Sequence, residues 1–148
     1  MLAYDALNRL LTDKDGKNQT ISYAYDPLGR MTSYTDAKGA TFSFGYDLLG
    51  RRTQRTEPDT TWQSYTYDVA GRLLIHRKAD GQTKTHIYGN AQRDFLTQVN
   101  YSNGEPARVM TYDRLGRVLS AANGSSTVSR AYDPAGRRTG VRPFCRGT

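Results

Sequence analysis

Large and small residues alternate along short segments of the chain. Residues 21–25 (ISYAY) and 42–46 (FSFGY) place bulky side chains at every second position, with small residues between them. Alternation with period two is typical of a β-strand that buries one face. No stretch keeps a 3.6-residue period long enough for a helix. The pattern therefore predicts an all-β chain.

A six-residue motif, Tyr-Asp-x-x-Gly-Arg, follows these segments and recurs about every 21 residues. Seven copies in register predict a tandem array whose motif positions are structural. These positions are Tyr4, Asp5 and Arg9; Tyr25, Asp26, Gly29 and Arg30; Tyr46, Asp47, Gly50 and Arg51; Tyr67, Asp68, Gly71 and Arg72; Tyr88 and Arg93; Tyr112, Asp113, Gly116 and Arg117; and Tyr132, Asp133, Gly136 and Arg137.

The motif has the chemistry of a turn. Its Asp can accept backbone N–H bonds, its Gly tolerates positive φ, and Pro27 and Pro134 preset the first corner. Its Arg is expected either to pair with an Asp of its own or a neighbouring unit or to stack on a Tyr ring.

A second strand follows each motif, as at residues 31–35, 73–77 and 118–121, and ends in a second turn such as Asp15-Gly16 or Asn123-Gly124. Each unit is therefore a β-hairpin, and hairpins in tandem predict an antiparallel, curved β-sheet strip, part of a β-solenoid or cocoon-like shell. The array spans residues 1–140, and residues 141–148 form a non-repeat tail. The fifth unit, residues 88–111, is irregular, and Asn90-Ala91-Gln92 is predicted to form a looser loop or bulge.

Composition supports a thin sheet with many turns. Only 36% of the residues are hydrophobic, and 11 Tyr and 14 Gly are present. The net charge of +7 raises the possibility of an acidic partner, but the Arg residues recur once per unit and form no basic run. A nucleic-acid partner is therefore not expected.

No residues suggest catalysis, a cofactor or a metal. His76, His86 and Cys145 have no metal-ligand spacing, and a residue type repeated in every unit indicates a scaffold, not an active site. The expectation is that the chain is not an enzyme. One alternative remains open, because Tyr and Arg rows on a sheet could bind carbohydrate in a cell-surface or secreted recognition module.

The repeated Tyr-Asp and Gly-Arg pairs resemble the Rhs/YD-repeat family, which includes bacterial Rhs toxins, C components of insecticidal toxin complexes, and teneurins. The resemblance covers residues 4 to about 140. It implies a β-sheet shell that encloses a C-terminal toxin and delivers it in interbacterial competition. The implied partners are the neighbouring repeats of a parent shell and the toxin cargo.

Family shells use more than seven repeats, so the chain is expected to be a fragment of a larger container. Neither a signal peptide in its first residues nor a membrane-spanning segment is predicted from the sequence. The resemblance suggests bacterial export or surface association through a carrier system. Asp26-Pro27-Leu28-Gly29 and Asp133-Pro134-Ala135-Gly136 are each followed by Arg, the ordinary repeat residue, so no self-cleavage is assigned to them.

Overall fold

The computed structural model of the chain describes residues 1–89 and 94–145. The predicted loop at residues 90–92 and Arg93 lie outside the described residues. Every regular element is a strand: β1 (Leu2–Tyr4), β2 (Leu10–Lys14), β3 (Thr20–Tyr25), β4 (Met31–Thr35), β5 (Thr41–Tyr46), β6 (Arg52–Thr56), β7 (Trp62–Tyr67), β8 (Leu73–Arg77), β9 (Thr83–Tyr88), β10 (Leu96–Tyr101), β11 (Arg108–Tyr112), β12 (Val118–Asn123), β13 (Ser126–Tyr132) and β14 (Arg138–Cys145).

The chain divides into two compact units. The first comprises Met1–Thr66 and Arg77–Gly81, and the second comprises Tyr67–His76 and Gln82–Thr148. Strands β1 to β6 lie wholly in the first unit and β9 to β14 wholly in the second. In each of these runs, every strand pairs antiparallel with its neighbours in the chain. The predicted all-β array of antiparallel hairpins is confirmed.

Strand register separates bulky from small side chains in the first unit. Tyr23 pairs with Tyr34, which pairs with Phe42 on the next strand, so these rings share one face of the sheet. On the opposite face, Ser33 pairs with Ser43. The two faces, called here the large-residue face and the small-residue face, follow directly from the alternation in the sequence.

The second unit has a corresponding large-residue face, which carries its motif tyrosines, but bulky side chains also occur on the opposite face, where Ile87 pairs with Gln98. On its large-residue face, Val99 pairs with His86 on one side and with Arg108 on the other. Val99 is 7% exposed and is the one residue among residues 1–89 and 94–141 that counts as buried. Elsewhere in these ranges the side chains are half-buried or exposed, as expected for a thin sheet.

Most turns are three-residue loops with a residue of positive φ at the end. In the turn between β3 and β4, the Gly29 amide donates to the Asp26 carbonyl (2.9 Å), and the Asp26 amide donates to the Arg30 carbonyl (2.9 Å). Gly29 has φ +81°, the left-handed conformation that closes such a loop. The β12–β13 turn is shorter, with Asn123 paired to Ser126.

One turn differs from the sequence expectation, and one strand extends beyond the predicted repeat array. In the turn that begins at Asp15, positive φ falls on Asn18 (φ 64°) and not on Gly16, because the closing bonds join Asp15 to Asn18 and Gln19. Strand β14 runs to Cys145, so regular pairing extends into the predicted non-repeat tail.

Among the described residues, no helix is long and apolar enough to cross a membrane.

Candidate functional site

The Asp of the motif holds its own turn together. Asp26 Oδ1 accepts hydrogen bonds from the Leu28 and Arg30 amides, both at 2.9 Å. Its Oδ2 accepts a bond from Arg30 Nε at 2.6 Å. One carboxylate therefore closes the loop and fixes the direction of the Arg side chain. The pairing with the Arg four residues later recurs at Asp5, Asp47, Asp68, Asp113 and Asp133.

The Arg reaches from its own turn to the next one. Arg30 Nη1 donates to the Asp47 carbonyl at 2.8 Å, and its guanidinium carbon lies 4.9 Å from the centre of the Tyr46 ring. Such a cation over an aromatic face is attracted by the ring quadrupole. The same stacking joins Arg9 to Tyr25 (4.8 Å), Arg72 to Tyr88 (4.6 Å) and Arg117 to Tyr132 (4.6 Å).

The Tyr returns the contact to the preceding repeat. Tyr46 Oη donates to the Met31 carbonyl at 2.8 Å, and Met31 directly follows Arg30. Equivalent bonds join Tyr25 to the Leu10 carbonyl, Tyr88 to that of Leu73 and Tyr132 to that of Val118. We call this unit the turn clasp: the Asp and Arg of one turn with the Tyr of the next. It satisfies both alternatives from the sequence, since the Arg pairs with the Asp of its own turn and stacks on the following Tyr.

The clasp favours ionised Asp side chains. Burial alone would raise the pKa of Asp26, but the Arg30 amide and guanidinium outweigh burial and lower this pKa below its ordinary value. At Asp5 the Arg9 amide is the largest influence, and the pKa is again lowered. The pKa is also lowered at Asp47, Asp68, Asp113 and Asp133. Each regular turn therefore contains a carboxylate that stays charged near neutral pH.

The remaining motif residues occupy the ends and corners of these clasps. Tyr4 ends β1, where it is 50% exposed, and Arg137 is 82% exposed although it pairs with Asp133. Arg51 pairs with Asp47, and Tyr67 ends β7. The motif glycines have φ between +79° and +83°: Gly29, Gly50, Gly71, Gly116 and Gly136. In the first turn Asn8 takes this position with φ 60°.

The fifth turn builds a clasp from residues that the motif does not contain. Gly89 replaces the Asp, and its amide donates to the Phe95 carbonyl at 2.9 Å, as the Asp26 amide donates to Arg30. Phe95 then stacks on Tyr112 with ring centres 4.9 Å apart, and Tyr112 Oη donates to the Leu96 carbonyl at 2.7 Å. Phe95 therefore occupies the position that Arg holds elsewhere.

Asp94 adds the missing negative charge to the fifth turn. Its Oδ1 lies 2.5 Å from Arg72 Nη1, the atom that in regular turns donates to the next Asp carbonyl. Sequence reasoning assigned the Arg position to Arg93, which lies outside the described residues, and did not single out Asp94 or Phe95. One signal could have identified Phe95, because it directly precedes the second strand of its unit, as the motif Arg does elsewhere.

The large-residue face of the first unit carries an aromatic cluster. Tyr34 stacks on Phe42 (4.7 Å) and Phe44 (6.2 Å), and Arg52 lies 4.7 Å from the centre of the Phe44 ring. A cleft of about 440 Å³ opens beside these rings, next to Ile21. These rings stack on one another, as expected for a packed layer of the sheet.

No group of three or more potential metal ligands occurs within the part of the chain that the structure describes.

Comparison with known proteins identifies the sequence pattern. A profile of the RHS Repeat family matches residues 4–41, 32–61 and 46–83, which together span more than half of the chain. No curated protein sequence matches the chain.

Solved structures share the fold. The Tc holotoxin pore of Photorhabdus luminescens, with a mutation in TccC3, matches 99% of this chain at 18% identity and a TM-score of 0.81. The TcdB2-TccC3-Cdc42 crystal structure matches 92% at 19% identity and a TM-score of 0.73. The TcdB2-TccC3-TEV structure matches 92% at 18% identity and a TM-score of 0.75. The chain spans 9%, 9% and 8% of those chains, respectively.

Proposed function

This chain belongs to the RHS repeat family, and from that premise we propose that it is a wall segment of a β-sheet shell. In a longer parent protein, the shell encloses a toxic C-terminal polypeptide and delivers it in competition between bacteria. The segment itself performs no catalysis. Its direct partners are the neighbouring repeats of the parent, and its indirect partner is the enclosed cargo.

The turn clasp is the observation that carries this proposal. Every member of a clasp is used to attach one repeat to the next, as when Arg30 bonds to the Asp47 carbonyl while Tyr46 bonds back to the Met31 carbonyl. Because the charged and aromatic groups of the motif contact each other across successive repeats, the motif stabilises a sheet built by adding repeats. The fold likeness to Tc toxin chains, which are about ten times longer, supports a role within a larger wall.

The clasp also weighs against the carbohydrate alternative. The rings of Tyr25, Tyr46, Tyr88 and Tyr132 each have a guanidinium over one face. A sugar would have to displace that cation in order to stack there. The motif tyrosines are therefore assigned to packing.

A chimera tests the wall function. The structurally matching segment of TccC3 would be replaced by residues 4–140 of this chain, and the chimera would be assembled with TcdB2. We expect the hypervariable C-terminal region of TccC3 to be as resistant to added protease in the chimera as in the unmodified complex assayed in parallel.

The matched control carries Asp26→Ala and Arg30→Ala in the same chimera, which break one clasp. We expect the control to expose the C-terminal region to protease. If the unmodified chimera assembles and its C-terminal region is cleaved as fast as the control, the wall function is refuted.

A further inference from the structure

The positive charge of the chain is concentrated in one unit. The first unit contains ten Lys and Arg against nine Asp and Glu, a net charge of +1. The second contains eleven against five, a net charge of +6. The even spread of motif arginines hides this difference, because the excess comes from arginines outside the motif.

Three of these arginines share the large-residue face of the second unit. Arg108 pairs with Val99, which places it on that face. Arg130 lies on the same face, since Met110 is aligned through Ala121 with Val128, two residues before Arg130. Arg138 pairs with Tyr132, two residues beyond Arg130. We call these three residues the arginine face.

The corresponding position in the first unit has an aromatic ring that the arginine face lacks. Arg52 follows its motif as Arg138 does, and it lies over the ring of Phe44. The residue that corresponds to Phe44 in the second unit is Arg130, so a second cation stands where the ring would be. Within residues 1–89 and 94–141, none of the three arginines has a hydrogen bond, an ion pair or a ring contact through its side chain.

We propose that the arginine face, Arg108, Arg130 and Arg138, binds an acidic polypeptide segment. Cations that share one face and that no carboxylate neutralises attract an extended chain of negative charge. Met110 and Val128 lie between Arg108 and Arg130 on the same face and offer aliphatic contacts to a peptide.

The aromatic side chains of this unit favour a peptide over a nucleic acid. Single-stranded nucleic acids bind through free aromatic rings on which the bases stack. Here Tyr112 is stacked with Phe95, and Tyr132 lies under Arg117. These rings therefore offer no open platform for bases, whereas guanidinium groups bind carboxylates without an aromatic partner. The inference rests on charge and register and is independent of the proposed wall function.

The test measures binding of a fluorescein-labelled oligoglutamate peptide to the full chain by fluorescence anisotropy. We expect binding at low ionic strength that weakens as salt is added. A variant with Arg108→Gln, Arg130→Gln and Arg138→Gln should bind at least about tenfold more weakly, since it lacks the three cations that attract the acidic peptide. Circular dichroism would verify that this variant keeps its strands.

The matched control removes three exposed charges from the first unit through Lys14→Gln, Lys17→Gln and Lys38→Gln. It should weaken binding by less than about threefold, because only the net charge changes. Equal losses in the two variants, or no binding by the unmodified chain, would overturn the proposal. Tighter binding of oligothymidine than of oligoglutamate would also overturn it. If the triple variant does not fold, Arg108→Gln alone must still weaken binding more than Lys38→Gln alone.

Discussion

The second and fifth turns of the array attach the following repeat by different chemistry. Arg30 covers Tyr46 with a guanidinium and pairs with the Asp of its own turn. Phe95 covers Tyr112 with a ring, in a turn where Gly89 replaces the Asp. Both turns keep the closing backbone bond and the bond from the Tyr hydroxyl to the preceding repeat. The repeat thus requires a closed turn and a flat group above the next Tyr, whereas the charge is exchangeable.

Replacement of the Arg guanidinium by the Phe95 ring changes the space beside the glycine of the following turn. A Cβ built on Gly50, in the turn after Arg30, meets no atom within 4 Å. A Cβ built on Gly116, in the turn after Phe95, would overlap Phe95 Cζ. The Phe95 ring therefore closes a glycine position that Arg30 leaves open, and even Arg117 Nη1, 3.3 Å from a Cβ built on Gly136, blocks its glycine less than the ring does. This difference makes the second and fifth turns separable by experiment.

Acid should have the largest effect, because it acts on every regular clasp at once. The pKa values of Asp5, Asp26 and the other motif Asp residues are lowered in the folded chain. Their stabilisation is therefore complete above the ordinary Asp pKa of about 3.9 and is lost as the pH falls through the lower folded values. We expect the melting temperature from circular dichroism to fall steeply below about pH 4.

Amide hydrogen exchange at acid pH would sharpen the comparison. The Arg30 amide donates to the Asp26 carboxylate, whereas the Gly89 amide donates to the Phe95 carbonyl and depends on no carboxylate. As the pH is lowered, protection should be lost at Arg30 before it is lost at Gly89. A melting temperature that does not change between neutral pH and about pH 2.5 would contradict the role of the Asp residues.

Glycine replacement at the two turns should have the next largest effect. Gly116→Ala combines the cost of positive φ, about 1–2 kcal/mol, with overpacking against Phe95, about 1–3 kcal/mol. Gly50→Ala has the cost of φ alone. Urea unfolding of both variants should show the larger loss for Gly116→Ala. Phe95→Ala combined with Gly116→Ala should cost less than the sum of the two single changes, and a simple sum would disprove the contact.

The sequence predicts most of the regular clasp because seven copies serve as an internal alignment. Positions shared by the copies have direct physical reasons to recur. The motif Asp, such as Asp26, closes the turn and pairs with Arg30, and the motif Gly permits positive φ. The alternation in the strands likewise predicts which residues share a face. These features depend on residues close together in the chain, so local chemistry is sufficient to infer them.

The fifth clasp and the arginine face depend on distant pairings. Counting five residues after Tyr88 gives Arg93, but the longer fifth turn closes at Phe95, and only its backbone bonds reveal this. Arg108 and Arg130 are 22 positions apart in the sequence and share a face only through the register of β11, β12 and β13. A search for consecutive basic residues therefore misses them.

Removal of a Tyr hydroxyl should have the smallest effect and should be equal at both turns. Tyr46 and Tyr112 each donate to a carbonyl of the preceding repeat, at 2.8 and 2.7 Å. Tyr46→Phe and Tyr112→Phe should each lower the free energy of unfolding by about 1 kcal/mol, the net value of one hydrogen bond. Tyr23→Phe is the control, since the Tyr23 hydroxyl has no hydrogen bond within the described residues. Urea unfolding would measure all three. A loss at Tyr46 alone would mean that the Phe95 ring, and not the hydroxyl bond, attaches the sixth repeat to the fifth.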